Sequence, residues 1–150
     1  MKRHPAFLQL SRDHHAARVL ARGLQAGAAA SFQRKLPTDV AERAAHVVRV
    51  FQGELDPHFR CEEDVLLAPL RGHDAELDRA CDDVLADHAA LRAMIEELGE
   101  RPSAELLDAF GRRLEGHVRL EERALFETAQ RVVGEDELAR LAALVEKFVR

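Results

Sequence analysis

Two short stretches of the chain carry the same spacing. PHFRCEE places His58 four residues before Glu62, and GHVRLEE places His117 four residues before Glu121. On a helix, residues four apart stand one turn above another, so each pair offers an imidazole nitrogen and a carboxylate oxygen on one side. Such a nitrogen–oxygen pair is half of a metal-binding site. One pair alone also arises by chance on a polar helix face, so the remaining six of the eight histidines decide its meaning.

The elements that position these residues are helical. Alanine, leucine, glutamate and arginine dominate, and strand-like alternation is absent. Breaks fall at KLPTD, LRGHD, GERPS and VVGED, each pairing Gly or Pro with a capping residue: Thr38 or Asp39, Asp74, Ser103, and Glu135 or Asp136. The expectation is an all-α, up-down-up-down four-helix bundle with a short fifth C-terminal helix. It is a single domain over residues 1–150, with the bundle at about 6–131 and the last helix at about 135–149. Pro57 lies inside the second helix, where a missing N–H and a displaced carbonyl predict a kink beside His58.

Each long helix has one apolar seam stepping by three and four. Phe7, Leu10, Ala17 and Ala21 mark the first; Phe51, Leu55 and Val65 the second; Cys81, Val84, Leu91 and Ile95 the third; Phe110, Leu114 and Ala124 the fourth. Six polar residues interrupt these seams: His14, His58, Glu62, His88, His117 and Glu121. With helices alternating in direction and rising about 1.5 Å per residue, all six fall in a slab about 9 Å thick. They share a height and point inward.

Burying four imidazoles and two carboxylates as free groups is unfavourable. A hydrogen-bonded Glu–His network is one compensation, and cations are the stronger one. Six donors exceed what a single tetrahedral zinc takes, and suit two six-coordinate first-row metals with bridging carboxylates and open positions. Iron is the first choice and manganese the second, with zinc as a substitute. His14 is preferred to His15 because it lies on the Leu10–Ala17 seam, and one residue turns a side chain by about 100°. His4, His46 and His73 fall at a terminus, off the seam and in a loop. Glu63 and Glu122 stand next to the proposed ligands, where they can accept from imidazole N–H groups. Cys61 and Cys81 lack CxxC spacing and read as reduced thiols.

Composition narrows the function. A net charge of −5 with no Tyr or Trp and no basic face argues against nucleic-acid binding. No apolar run reaches the roughly 20 residues of a membrane helix, and the basic start lacks the apolar segment of a signal peptide. A cytoplasmic protein is expected.

Four stretches in order, DHH at 13–15, PHFRCEEDVLLAPL at 57–70, DHAALRAMIEEL at 87–98 and HVRLEERALFE at 117–127, resemble the hemerythrin-like (HHE cation-binding) family. The resemblance implies a non-haem di-iron centre bridged by Glu62 and Glu121, with His14 and His58 on one iron and His88 and His117 on the other. Oxygen-carrying hemerythrins have a further histidine one turn after the third-helix histidine, where this chain has Arg92, and a longer histidine-to-aspartate spacing on the fourth helix. Six ligands instead of seven leave one iron more open. The ExxH pairs of ferritin-like proteins are missing from both site helices.

The leading reading is a metal-binding protein that binds or reacts with oxygen, nitric oxide or peroxide at an open iron position. Alternatives are an iron-handling or iron–sulfur repair protein, and a metal- or gas-responsive sensor, in which the last helix or a homo-oligomer contact conveys the signal. No catalytic group beyond the metals points to an organic substrate.

Overall fold

The computed structural model describes residues 1–149, and every regular element among them is helical. Helix α1 spans Pro5–Leu24 and is followed by a single turn, α2, at Ala30–Gln33. A continuous helix α3 covers 40–70, α4 covers Ala75–Glu100, α5 covers 104–132, and α6 covers Glu135–Val149. Local chemistry fixes the helix starts. Asp39 Oδ2 accepts from the Glu42 N–H at 3.0 Å, Asp74 Oδ1 from the Glu76 N–H at 2.8 Å, and Ser103 Oγ from the Leu106 N–H at 3.1 Å. Each satisfies an N–H that has no partner within its helix.

The first helix is shorter than the sequence suggests. Its break comes at Gln25, well ahead of KLPTD, because Gln25 turns extended and Gly27 takes a φ of 79°. A left-handed backbone suits glycine and stops the helix there. The small α2 turn then fills the connection. Gly111 serves a different need: a Cβ there would stand 2.6 Å from the Ala21 carbonyl oxygen, so only glycine lets α5 lie this close to α1.

Helix α3 is one continuous helix, as expected, and departs from expectation only in its local turns. It stays helical through Pro57, with a π-helical segment at Phe51–Leu55 just before the proline. The wider i→i+5 turn changes which carbonyls need the missing N–H, so the proline sits at the start of a fresh α-helical stretch. Two more π-helical segments begin at Glu62 (Glu62–Leu66) and at Glu121 (Glu121–Phe126). Each adds a residue to the local turn and moves the seam by one. Val65 and Ala124, expected to point inward, are only partly buried, and Leu66 and Leu125 take the core positions instead.

Packing divides the core into two apolar layers. α5 packs on α1 and on α4, and α4 packs on α3. One layer gathers Phe7, Leu10, Leu66, Leu70, Val84 and Phe126, and is covered by Leu138, Leu141 and Val145 of α6. The other gathers Leu24, Val47, Phe51, Phe59, Ile95, Leu98, Phe110 and Leu114. α6 thus covers the bundle along one face, although its Phe148 is 43% exposed. Each fully buried large apolar side chain contributes about 1.5–3 kcal/mol, and the polar layer between the two cores must offset its own desolvation.

Candidate metal centre

That polar layer is built from α1, α3, α4 and α5. His14, His58, Glu62, His88, His117 and Glu121 are all buried, and both glutamates are fully inaccessible. His15 faces solvent, one residue of helical rotation away. Both His-x-x-x-Glu pairs use an α-helical turn, and the π-helical segment starts at the glutamate itself. The ring planes are fixed by stacking: Phe59 lies 3.9 Å from His88 between centroids, and Phe126 lies 5.8 Å from His14.

The donor atoms converge as two overlapping sets. Glu62, His88, His117 and Glu121 offer four atoms within 4.8 Å of one another, and His14, His58 and Glu121 offer three. Glu121 divides its oxygens between them. Its Oε2 lies 3.0 Å from His14 Nε2 and 3.8 Å from His58 Nε2; its Oε1 contacts His117 Nε2 and lies 3.8 Å from His88 Nε2. Glu62 Oε1 stands between the two sets, 3.4 Å from His58 Nε2 and 3.3 Å from His88 Nε2.

Carboxylates behind the rings orient them. His58 Nδ1 meets Asp13 Oδ2 at 3.2 Å, His88 Nδ1 meets Glu63 Oε2 at 2.7 Å, and His117 Nδ1 meets Asp87 Oδ2 at 3.1 Å. Glu122 Oε1 lies 3.7 Å from His14 Nδ1 and is held by the Ser11 hydroxyl. An Nδ1–H donated outward leaves Nε2 as a lone pair aimed at the centre. Each of these carboxylates adjoins an inward donor in sequence, yet serves a histidine on another helix. α1 supports α3, α3 supports α4, α4 supports α5, and α5 supports α1, which closes a ring around the bundle. Arg92 grips Glu63 with Nη1 at 2.7 Å and Nη2 at 3.0 Å, and reaches Asp56 with Nε at 2.9 Å. Arg113 holds Asp87 at 2.9 Å. Sequence reasoning named Glu63 and Glu122 for this role and missed Asp13 and Asp87, although the same adjacency to a donor was in view.

Electrostatics match this crowding. Burial pulls the His58 pKa down, but Asp13 and Glu121 outweigh it and raise it to about 9. Burial likewise opposes the charged form of His117, while Glu121 and Asp87 bring it to about 9. Burial and the neighbouring Glu121 charge push the Glu62 carboxyl well above its ordinary range. Burial would also raise Glu121, but His117, Glu62 and His14 hold it well below. In the chain alone, protons balance the acid oxygens. Burial lifts both cysteine thiols to about 11, and neither Cys61 nor Cys81 is among the converging donors.

A cleft of about 400 Å³ opens between α1 and α3 and reaches His14, His58 and His117, with α5 as its floor. The other histidines fall elsewhere. His4 Nδ1 accepts from the Ala6 N–H at 3.0 Å and caps α1, and His73 lies 3.2 Å from Glu137.

The donor set fits cations by its own chemistry. His58 Nε2, His88 Nε2, His117 Nε2, both Glu62 oxygens and Glu121 Oε1 are buried with no hydrogen-bond partner. Buried polar atoms without partners are costly unless something binds them. A helical bundle cut by such a layer defines a class of proteins built to hold cations in the core. The model of the hemerythrin HHE cation binding domain matches residues 7–129, and the chain belongs to this family. No curated protein and no solved structure matches the chain. Among the described residues, no helix is long and apolar enough to cross a membrane.

Proposed function

We propose that the chain is a single hemerythrin-like domain, an up-down-up-down four-helix bundle that holds two iron ions. His14 and His58 ligate one, His88 and His117 the other, and Glu62 and Glu121 bridge them. A small ligand, oxygen, nitric oxide or peroxide, binds at an open position on the His14–His58 side. The carrying observation is an asymmetry: the cleft reaches both histidines of the half with three converging donors and only His117 of the half with four. The split oxygens of Glu121, one toward each half, support its bridging role.

Bound iron supplies open coordination positions and a one-electron redox change at each ion. The protein residues do the rest. Asp13, Glu63 and Asp87 accept the Nδ1 protons and keep Nε2 available, and Glu122 stands behind His14. Phe59, Phe126, Leu55 and Leu114 exclude bulk water from the imidazoles. Arg92, in the place of the additional histidine of oxygen carriers, braces Glu63 and Asp56 instead of offering a nitrogen.

Anaerobic loading with iron, metal analysis and a visible spectrum before and after oxygen test this reading. Two irons per chain, reduced on His58→Ala and lost on Glu121→Ala, and a spectrum that responds to ligand are expected. One iron or none overturns it.

A further inference from the structure

The cleft is larger than its proposed diatomic visitor requires. A diatomic or peroxide takes the space of one or two waters, about 30 Å³ each, and the cleft holds about 400 Å³. That volume falls in the range of about 300–1,000 Å³ typical of sites for small organic molecules. Its walls are mostly hydrocarbon: Ala17 and Leu20 from α1, Leu55 from α3, and Leu114 and Val118 from α5. The inner end presents His14, His58 and His117, with the Asp13 carboxylate behind His58, and Arg12 and Glu54 also line the cleft.

Such a site selects a molecule with an apolar body and one polar end. The inner end determines which polar end. His14, His58 and Glu121, even with the shared Glu62 oxygen, leave a six-coordinate metal short of ligands there, and a bound cation is the largest local charge. A carboxylate supplies hard oxygen donors, up to two of them, together with the opposite charge. Among the lining residues Arg12 is cationic and Asp13 and Glu54 are anionic, so the attraction for an anion comes from the metal end of the cleft.

We propose that the cleft binds an organic carboxylate, with its head at the open metal position beside His14 and His58 and its hydrocarbon part along Leu20, Leu55, Leu114 and Val118. This deepens the proposed function and rests on the open position in that half of the centre. It makes the cleft a binding site for an organic molecule as well as an entry path for small ligands.

The test uses the full chain, loaded anaerobically with iron and analysed for metal first. Octanoate and acetate are then titrated calorimetrically, since they share a head and differ in hydrocarbon. Octanoate should bind at least about tenfold tighter than acetate, because each buried methylene adds to affinity. Ala16→Trp puts a large side chain at the exposed edge of the cleft and should remove that preference while a helical spectrum and the iron content persist. Equal binding of the two acids by the wild-type chain overturns the proposal whatever the variant does, as does an undiminished octanoate preference in a folded Ala16→Trp chain. Two irons per chain together with either result leave the metal centre standing. A wild-type chain that takes up fewer than two irons fails the metal reading itself, and the carboxylate site falls with it.

Discussion

The two halves of the buried centre are made from the same residue types and differ in completeness. Around Glu62, His88, His117 and Glu121, four donors converge, and behind them Arg92 and Arg113 pin the supporting carboxylates. Around His14, His58 and Glu121 only three converge, and the cleft reaches both of these histidines from solvent. Asp13, which supports His58, has a side chain 42% exposed, whereas that of Glu63 behind His88 is 22% exposed. Arg3 likewise reaches Glu122 behind His14 at 3.3 Å, so both halves are braced, and they differ in donor number and in how many of their histidines line the cleft. Completeness favours retention of a metal, and incompleteness leaves room for a ligand, so one bundle can separate holding from reacting without a change of residue chemistry.

The largest test removes what the halves share. Glu121→Ala takes a donor from both sets and leaves His117 and His14 without their buried carboxylate partner. Metal content should fall from two per chain to none by elemental analysis after dialysis. Retention of either metal would show that the halves are independent. A sharper cut compares His14→Ala with His117→Ala. The first leaves two converging donors in its half and the second leaves three. His14→Ala should hold one metal against a chelator, and His117→Ala should retain its altered half more strongly. Equal losses would erase the distinction.

Metal removal brings the two halves together, because a histidine in each is then charged. His58 and His117 have pKa values of about 9 in the folded chain against an ordinary 6.5. A pKa raised by folding contributes stability that is complete below the unfolded value and is lost as pH rises through the folded one. The melting temperature of the metal-free chain should therefore fall between about pH 6.5 and 9. With metals in place of those protons, the same window should show little fall. A flat metal-free profile would mean that Asp13, Asp87 and Glu121 do not hold protons on these rings.

Much of this was legible in the sequence, for identifiable reasons. The seams stepping by three and four revealed the helices, and residues too polar for those seams revealed His14, His58, Glu62, His88, His117 and Glu121 at one height. A cost in burial is what makes such residues conspicuous. Asp13 and Asp87 cost little, being part-exposed and paired, so no break in pattern announced them. A fixed helical period cannot show a local added residue, so the wider turns after Glu62 and Glu121 put Leu66 and Leu125 in the core where the seams carry Val65 and Ala124. The end of α1 depends on Gly27, a single residue within an alanine-rich run, and so comes before the KLPTD break that the sequence marks. The cleft, finally, is a gap between α1 and α3, and seams report what packs, not what is left open.

The smallest effect expected lies in the supporting carboxylates, and it probes the same contrast between halves. Loss of a carboxylate behind a metal-binding histidine typically costs about 10–100-fold in metal affinity. Asp13→Asn removes the charge behind His58 at a part-exposed position, where its other side-chain partner is Gln9 at 2.9 Å. Water can replace part of that support, so the cost should lie near about tenfold. Glu63→Gln removes the acceptor 2.7 Å from His88 Nδ1 and also the partner of two Arg92 nitrogens. Its cost should lie nearer about 100-fold, because a guanidinium left against the imidazole opposes the cation as well. Competition with a metal-binding dye measures both. A larger loss in Asp13→Asn than in Glu63→Gln would assign the firmer support to the three-donor half and reverse the comparison.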